Sequence, residues 1–464
     1  MVKRHTAFGV LVAVLLLMGW SACSGDSVVN EPATTDPPMP PPGPATVSAD
    51  VAFVNVNIVP MDADRVLESQ TVLVGREGIV QIGPTDQVAI PDSALRIDGT
   101  GQYLLPGLTD MHVHWTANTT SELRNDNFLF LANGVTTIRV MWGSNFALRR
   151  RDEIIQGLAL GPTVYIASPG MDGPGGPWNT PAVTTTSQAQ QTVRQYKADG
   201  FDFIKVYNAL QPPIYRAIID EARAQNIRVV GHVPGAVGVE TVLASGQASL
   251  EHFIGFRLAA SSPFTGGTLD LAEIARLAAL SRDAGAWHTP TNTVDGLSRS
   301  DVRRIRNSDA MQYMSPGMTG FMVTGFYQGF ADEVAAREKA NHHVLTRTIH
   351  ETSGRLLIGT DAGFGYMIPG FSIHDELQSF VDAGLTPYEA LEAATSGAAR
   401  FLEAEDVFGI VAEGFRADLL LVQANPLDDV AHLQRRSGVM VRGQWFSEDE
   451  IQQRLEAINL SYNP

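Results

Sequence analysis

Hydrophobic positions through the middle of the chain follow two alternating periods. Short apolar runs, several with every second residue apolar, predict eight strands: 107–114, 135–140, 163–168, 202–207, 227–232, 249–253, 286–290 and 356–361. Stretches with apolar residues near helical spacing predict helices among them, at 187–199, 212–226, 270–285, 330–353 and 386–401. Strands joined by helical crossovers predict an α/β fold, and eight such strands predict a (β/α)8 TIM barrel over residues 106–407.

Shorter alternating segments flank this region at both ends of the chain. Glycine, aspartate and proline separate them, as is typical of small β elements. They lie at 51–61, 71–83, 95–107, 408–423 and 437–447. We predict that the two ends pair into one small β-sandwich domain, built from residues 49–105 and 408–464.

The beginning of the chain follows neither pattern. Residues 1–23 contain two basic residues, an apolar stretch and a Ser-Ala-Cys ending, which predict a lipoprotein-type signal peptide with Cys23 as the lipidated residue. Residues 24–48 are rich in proline and predict a disordered tether. We therefore expect an exported protein, held by its lipid on the periplasmic face of the bacterial outer membrane. Simple secretion is one alternative, because Trp20 stands where such signals usually have leucine. A retained transmembrane helix is the other, although the apolar stretch is short for a bilayer span.

Composition narrows the classes of function. The 464 residues, 44% of them hydrophobic, suffice for a large core. Acidic residues outnumber basic ones by 50 to 33, and the net charge of -17 excludes nucleic acid as a natural partner. Cys23 is the only cysteine, so an intramolecular disulfide and a thiol-dependent active site are both excluded. A small-molecule substrate is the expected partner, and a homo-oligomer is left open.

The predicted strands carry metal-ligand residue types at their carboxyl ends. In a barrel these ends converge on one mouth, where catalytic residues lie. Strand one ends with two histidines on one face, and further candidates follow strands four, five, six and eight. The set is His112, His114, Lys205, His232, His252 and Asp361. Any one of them has an ordinary alternative, such as a core histidine or a helix-capping aspartate, but their convergence indicates a metal site.

Lys205 lies inside the predicted strand DFIKVY, at a position that faces the barrel interior. A buried ammonium is costly unless it is paired or loses its proton. A neutral lysine amine can add CO2 to form a carbamate, whose two oxygens can bridge two divalent cations. The alternative is an ordinary ion pair with a neighbouring acid such as Asp202.

Longer motifs join these residues. They are LLPGLTDMHVHW, NGVTTIRVMWG, DGFDFIKVYNAL, IRVVGHVPG, GQASLEHFIG, LLIGTDAGF, GLTPYEALEAATSGAARFL and ADLLLVQANPLDDV. With them the chain resembles the amidohydrolase superfamily of metal-dependent hydrolases, and within it the imidazolonepropionase-like enzymes and the lysine-carboxylated Xaa-Pro dipeptidases. The resemblance implies hydrolysis of a C–N bond in an amide, a dipeptide or a cyclic amide.

The resemblance also implies how the ligands divide between two metal ions. One set is His112, His114 and Asp361, the other is His232 and His252, and carboxylated Lys205 bridges both. Zinc suits imidazole and carboxylate ligands, with Mn, Co and Fe as alternatives. A hydroxide shared by two cations is a nucleophile at neutral pH, and Asp361 would pass its proton to the leaving amine.

Several other positions bear on the site. Val140 follows Arg139 where many relatives have aspartate, so we expect a carboxylate that supports the ligands to be missing. Tyr207 is predicted to face the mouth and donate to the substrate, with core packing as the alternative. His288 on strand seven is a further candidate for substrate contact. The three histidines within 342–350 are expected to be solvated.

Other functions stay open as alternatives. One-metal deaminases of the superfamily commonly have a glutamate three residues after the strand-five histidine, and Gly235 at that position favours the hydrolase. Ester or phosphotriester hydrolysis would use the same centre. A non-catalytic surface lipoprotein that keeps the barrel for binding is the alternative from another class, and metal content separates it from an enzyme.

Overall fold

Strands and helices alternate through most of the chain. The computed structural model describes residues 48–117, 119–176, 181–260, 267–323 and 329–463. The strands are β1 Val51–Ile58, β2 Leu67–Gly75, β3 Gly78–Pro84, β4 Leu95–Asp98, β5 Tyr103–Pro106, β6 Leu108–Val113, β7 Val135–Val140, β8 Thr163–Ile166, β9 Phe203–Val206, β10 Arg228–Gly231, β11 Ser249–Glu251, β12 Trp287–Thr289, β13 Arg355–Leu356, β14 Leu419–Val422, β15 Arg436–Val441 and β16 Gln444–Ser447. The α-helices are α1 Thr120–Ala132, α2 Asn145–Ile155, α3 Thr186–Asp199, α4 Pro212–Ala224, α5 Val239–Ala244, α6 Ile254–Ala259, α7 Leu271–Ala284, α8 Asn292–Asp295, α9 Arg299–Arg306, α10 Pro316–Val323, α11 Asp332–Glu351, α12 Ser372–Ala383, α13 Pro387–Ala394, α14 Ser396–Phe401 and α15 Glu448–Tyr462.

The strands of the middle region lie in two parallel sheets. One sheet has the order β13-β12-β11-β10-β9, and the other has the order β6-β7-β8. Parallel bridges connect the two sheets on both sides: Val113 of β6 pairs with Ala362 beyond β13, and Ala167 beyond β8 pairs with Phe203 of β9. Helices cross between consecutive strands, which gives an α/β fold with parallel sheets.

The strand pattern of the sequence is confirmed for this region, since each of the eight predicted strands contains or overlaps one of β6 to β13. The predicted helix over 386–401 is wrong in one respect, because it is broken into α13 and α14 at Thr395. The backbone there has φ -132° and ψ -97°, far from helical values. The Thr395 hydroxyl donates to the carbonyl of Leu391 at 2.7 Å, a local bond that competes with the helical ladder.

Strands from both ends of the chain share one sheet. Its order is β16-β15-β14-β5-β1-β2-β3, with β4 beside β1. The join is antiparallel, with Leu420 of β14 opposite Leu105 of β5. Alternate residues of β1 enter different apolar clusters, Phe53 on one face and Ala52 on the other. Both faces of this sheet therefore contribute to packing, as the period of two along a strand allows.

Strands β6 and β7 are buried along their whole length. This is typical of a parallel sheet covered on both faces. Their polar residues, including Asp110, His112 and Arg139, are therefore cut off from solvent. Such groups need partners inside the protein, and these partners define the site described below.

The predicted signal peptide, its lipidated Cys23 and nearly all of the tether lie outside the described residues. Within the part of the chain that the structure describes, none of the helices combines the length and the apolar character needed to span a bilayer.

Candidate metal centre

Six side chains predicted as ligands come from different elements, and we call them the ligand cluster. Each follows or ends a parallel strand: His112 on β6 and His114 after it, Lys205 on β9, His232 after β10, His252 after β11, and Asp361 beyond β13. All except His114 are buried. Burial of so many polar groups in one region requires that they satisfy one another or a bound ion.

The structure brings the histidines and the aspartate together. Oδ1 of Asp361 lies 2.8 Å from Nε2 of His114 and 3.3 Å from Nε2 of His112. The ring of His252 is 4.6 Å from that of His112 and 5.0 Å from that of His232, between centroids. One ligand atom from each of His112, His252 and Asp361 lies within 4.8 Å of the others. This spacing allows a single cation to contact nitrogen and oxygen donors from three strands.

Lys205 is fully buried on the strand next to His232. Burial lowers the pKa of Lys205 to about 8, although the carboxylates of Glu251 and Asp361 oppose the shift. The alternative pairing with Asp202 is wrong, because Asp202 instead binds Arg151 at 2.9 Å and accepts from the backbone N–H of Ile166. Residues three apart on a strand point to opposite faces, which separates the two side chains.

Two members of the ligand cluster have strained backbones. His252 has φ +62° and Asp361 has φ +61°, both in the left-handed region that favours glycine. Such a conformation costs about 1–3 kcal/mol and persists only where the surroundings fix it. Here the N–H of His252 donates to the carbonyl of Thr289, and the N–H of Asp361 donates to the carbonyl of His112. Strain of this kind concentrates at functional sites.

A buried ion pair supports His112. Its Nδ1 lies 2.9 Å from Oε2 of Glu251, and Nη2 of Arg139 donates to Oε1 of the same carboxylate at 3.0 Å. Arg139 also donates to the carbonyl of Met111 and the hydroxyl of Ser249. Glu251 therefore supplies a carboxylate that supports His112. The prediction that such a carboxylate would be missing, made because Val140 follows Arg139, is wrong. Glu251 stands directly before His252 in a buried strand, and this position was the signal in the sequence that could have identified it.

The other two buried histidines have neutral groups as their nearest outer partners. Nδ1 of His232 lies 2.8 Å from Oδ1 of Asn208, and Nδ1 of His252 lies 2.6 Å from Oγ1 of Thr291. In addition, Oδ2 of Asp295 is 3.6 Å from Nδ1 of His252. Burial lowers the pKa of His252, but Asp295 and Asp361 together raise it and the net shift is upward. None of these three supporting residues was identified from the sequence.

The donor set fits a divalent cation. His112, His232 and His252 each use Nδ1 for an outer partner, which leaves Nε2 for a metal, and this is the arrangement of metal-binding histidines. Burial lowers the pKa of His112 and His232 well below the ordinary value, so both are neutral imidazoles, the form that binds metals. Oδ1 of Asp361 is buried and has no hydrogen-bond partner among the residues that the structure describes, although two imidazole nitrogens lie close to it. A cation between these atoms would satisfy it.

Asp110 is a second buried acid that the sequence analysis missed. It lies two residues before His112 and accepts from the backbone N–H and the hydroxyl of Thr360. It also accepts from the N–H of His112 at 3.2 Å. Burial raises the pKa of Asp110 to about 7, against these hydrogen bonds. The carboxyl group therefore fixes the backbone of β6 to the segment that carries Asp361.

The two proposed substrate contacts lie in different places. The ring of Tyr207 is half-buried, 4.0 Å from the ring of His232, and stands edge-on to Trp142. The structure thus brings Tyr207 to the ligand cluster. His288 is fully buried and points to the helices, where its Nε2 lies 2.6 Å from the hydroxyl of Ser281 on α7. The structure does not bring His288 to the cluster, because its neighbour Thr289 takes the inward face of β12.

The expectation for the histidines of α11 is wrong for His342. This ring is fully buried, and its Nε2 accepts from Arg257 at 3.0 Å. Nδ1 lies 3.2 Å from Oδ1 of Asn292. The helix is polar in composition, but it packs its inner face against α8 and α12 and so buries this residue.

Known proteins are similar to this chain over most of its length. Residues 103–446 match the family model described as the amidohydrolase family. Ochratoxinase from Aspergillus niger is 21% identical over 396 residues, which cover 72% of this chain and 73% of that protein. A solved structure of a candidate prolidase from Bifidobacterium longum has a TM-score of 0.68 at 26% identity, over 88% of this chain and 99% of the other. The bottromycin amidohydrolase has a TM-score of 0.70 at 25% identity, over 88% and 90%.

Proposed function

The chain belongs to the amidohydrolase family and is a hydrolase acting on C–N bonds, and from this premise we propose that it cleaves an amide, dipeptide or cyclic amide with two divalent metal ions. The observation that carries this proposal is the convergence of the imidazole nitrogens of His112 and His114 on the buried Oδ1 of Asp361. Relatives named for prolidase, ochratoxinase and amidohydrolase activity support the choice of bond.

In the proposed architecture, the eight parallel strands close into one TIM barrel. Two observations support closure. The N–H of Asp361 donates to the carbonyl of His112 at 2.7 Å, which joins β6 to the segment beyond β13. On the other side, the N–H of Ser168 donates to the carbonyl of Phe203 at 2.8 Å. The mixed sheet from the two chain ends is proposed to form part of a flanking β-sandwich domain.

The six members of the ligand cluster would hold two metal ions, with zinc as the best match to their donor types. One set is His112, His114 and Asp361, and the other is His232 and His252. Lys205, which is fully buried and proposed to be carboxylated by CO2, would contribute to both. When bound, the metal ions supply an acidified water as the nucleophile and polarise the scissile carbonyl.

The protein's own residues then perform three tasks. Asp361 accepts the proton of the nucleophile and returns it to the leaving amine, as a carboxylate within reach of both can do. His112 and His114 hold that carboxylate in position, with their Nε2 atoms 3.3 and 2.8 Å from its Oδ1. Tyr207, at the edge of the cluster, positions the substrate beside His232.

Metal analysis and a substrate panel test this function. We expect two metal ions per chain, loss of amidase activity after chelation, and recovery with Zn and bicarbonate. The panel consists of N-acyl amino acids, Xaa-Pro dipeptides and cyclic amides, with matched esters and aminopyrimidines for comparison. Cleavage of the esters alone, release of ammonia by a one-metal protein, or a metal-free protein without activity would each contradict the proposal.

A further inference from the structure

Helix α8 is held by a buried polar network that the proposed reaction does not use. The network contains an ion pair between Arg257 of α6 and Glu338 of α11, both fully buried. Arg257 also donates to His342, and His342 in turn contacts Asn292, the first residue of α8. A buried ion pair adds little to stability compared with apolar packing of the same volume, so its presence needs another explanation.

A second anchor holds α8 from another helix. Glu376 of α12 is fully buried and accepts from the backbone N–H groups of Asn292 and Thr293, at 2.8 and 2.9 Å. It also accepts from the hydroxyl of Thr293 at 2.7 Å. Three hydrogen bonds to one carboxylate fix the start of a helix that has only four residues, Asn292–Asp295. The position of this helix is therefore determined by α6, α11 and α12 together.

Thr291 stands directly before α8 with φ +52°, an unfavourable conformation for a β-branched residue. Its single hydroxyl proton has two acceptors, the carbonyl of Pro290 at 2.7 Å and the carboxylate of Asp295 at 3.3 Å. Whichever acceptor it meets, the hydroxyl oxygen is left to accept a proton from Nδ1 of His252, 2.6 Å away. In the neutral ring, the form that binds a metal, the unprotonated nitrogen of His252 is then Nε2, which faces the ligand cluster.

We propose that Thr291 is a positioning residue, and that the buried network around α8 holds it in a strained conformation to fix the tautomer and the orientation of His252. This inference rests on the proposed metal-dependent function. Asp295 takes part by accepting from the Thr291 hydroxyl, and Glu376 and His342 act one step further away by holding α8.

The test compares Thr291→Val with Thr291→Ser in the full chain. Valine keeps the shape and the branching but removes the hydroxyl, whereas serine keeps the hydroxyl. We expect Thr291→Val to bind one of the two metal ions about 10–100-fold more weakly, while Thr291→Ser keeps the wild-type affinity. Zn affinity is measured by competition with a chromogenic chelator, and the Co(II)-substituted protein is compared by its absorption spectrum, which reports ligand geometry without requiring activity.

Thr348→Val is the matched control, because the Thr348 hydroxyl donates to the carbonyl of Val344 in its own helix, away from the ligand cluster. It should leave both metal affinities unchanged. Should Thr291→Val fail to fold, Glu376→Gln leaves Thr291 in place and weakens its anchor, and we expect a smaller loss at the same metal ion.

The outcomes separate this inference from the proposed function. If the wild-type protein binds no metal, the proposed function fails. If the wild-type protein binds two ions and Thr291→Val binds both with unchanged affinity and spectrum, only the positioning role is overturned. Equally weakened metal binding in Thr291→Val and Thr291→Ser would also overturn the positioning role, because the loss would then not come from the missing hydroxyl.

Discussion

His112 and His252 lie with their rings 4.6 Å apart, yet their outer nitrogens meet different kinds of partner. Nδ1 of His112 faces the carboxylate of Glu251, which is paired with Arg139 in the dry interior. Nδ1 of His252 faces the hydroxyl of Thr291. The outer nitrogen of His112 thus meets a carboxylate directly, whereas that of His252 meets a hydroxyl, with the carboxylate of Asp295 further away at 3.6 Å.

The two kinds of support have different physical costs. A carboxylate makes an imidazole a stronger donor, but it must be desolvated and paired, and here Arg139 provides the pairing. The Thr291 hydroxyl adds no charge of its own and orients the ring by its position, at the cost of backbone strain at Thr291. We therefore expect the metal ion held by His112, His114 and Asp361 to bind more tightly than the ion held by His232 and His252.

Removing the charge of Asp361 should produce the largest effect on activity. Asp361→Asn keeps the shape but loses the base, and we expect kcat/KM to fall by about 10³-fold, within the range of general acid–base catalysis. Steady-state kinetics on the best substrate of the panel measures the loss. Asp62→Asn, in the exposed pair with Arg65, is the control and should leave kcat/KM unchanged. Full activity in Asp361→Asn would remove this residue from the proposed reaction.

Glu251→Gln should damage stability as well as metal binding. It leaves Arg139 buried without its counter-charge, and breaking such a pair costs about 3–5 kcal/mol. Denaturant unfolding of the metal-free protein measures the change. Glu240→Gln, in an exposed pair with Arg276, is the matched control and should cost less than about 1 kcal/mol.

A double variant sharpens the interpretation of that loss. Combining Arg139→Met with Glu251→Gln removes both charges, so we expect it to lose less stability than the sum of the two single variants. Additive losses would show that the pair acts only through packing.

Asn208→Ala should have the smallest effect of the three single variants, after Asp361→Asn and Glu251→Gln. Asn208 supports His232 but is exposed, so water can replace its side-chain oxygen. We expect metal affinity to fall by no more than about 10-fold, at the low end for residues that support ligands. The chelator competition assay measures it. If Asn208→Ala lost more metal affinity than Glu251→Gln in the same assay, the ranking of charged over neutral support would be contradicted.

Much of the fold followed from local pattern. The eight parallel strands are visible as short apolar runs because most residues of β6 to β13 are buried, and buried positions favour apolar residue types. The break at Thr395 was missed, because a single threonine with a side-chain bond to Leu391 leaves the apolar spacing of a helix intact.

The sequence by itself determined which residues stand at the ends of the strands, because strand period and length are local properties of the chain. It therefore nominated the six members of the ligand cluster before any contact was known. Only the tertiary structure decided what supports them. Glu251 lies 139 positions from His112, and Thr291 lies 39 positions from His252. Such pairings depend on how distant strands and helices pack, and residue spacing along the chain does not encode that distance.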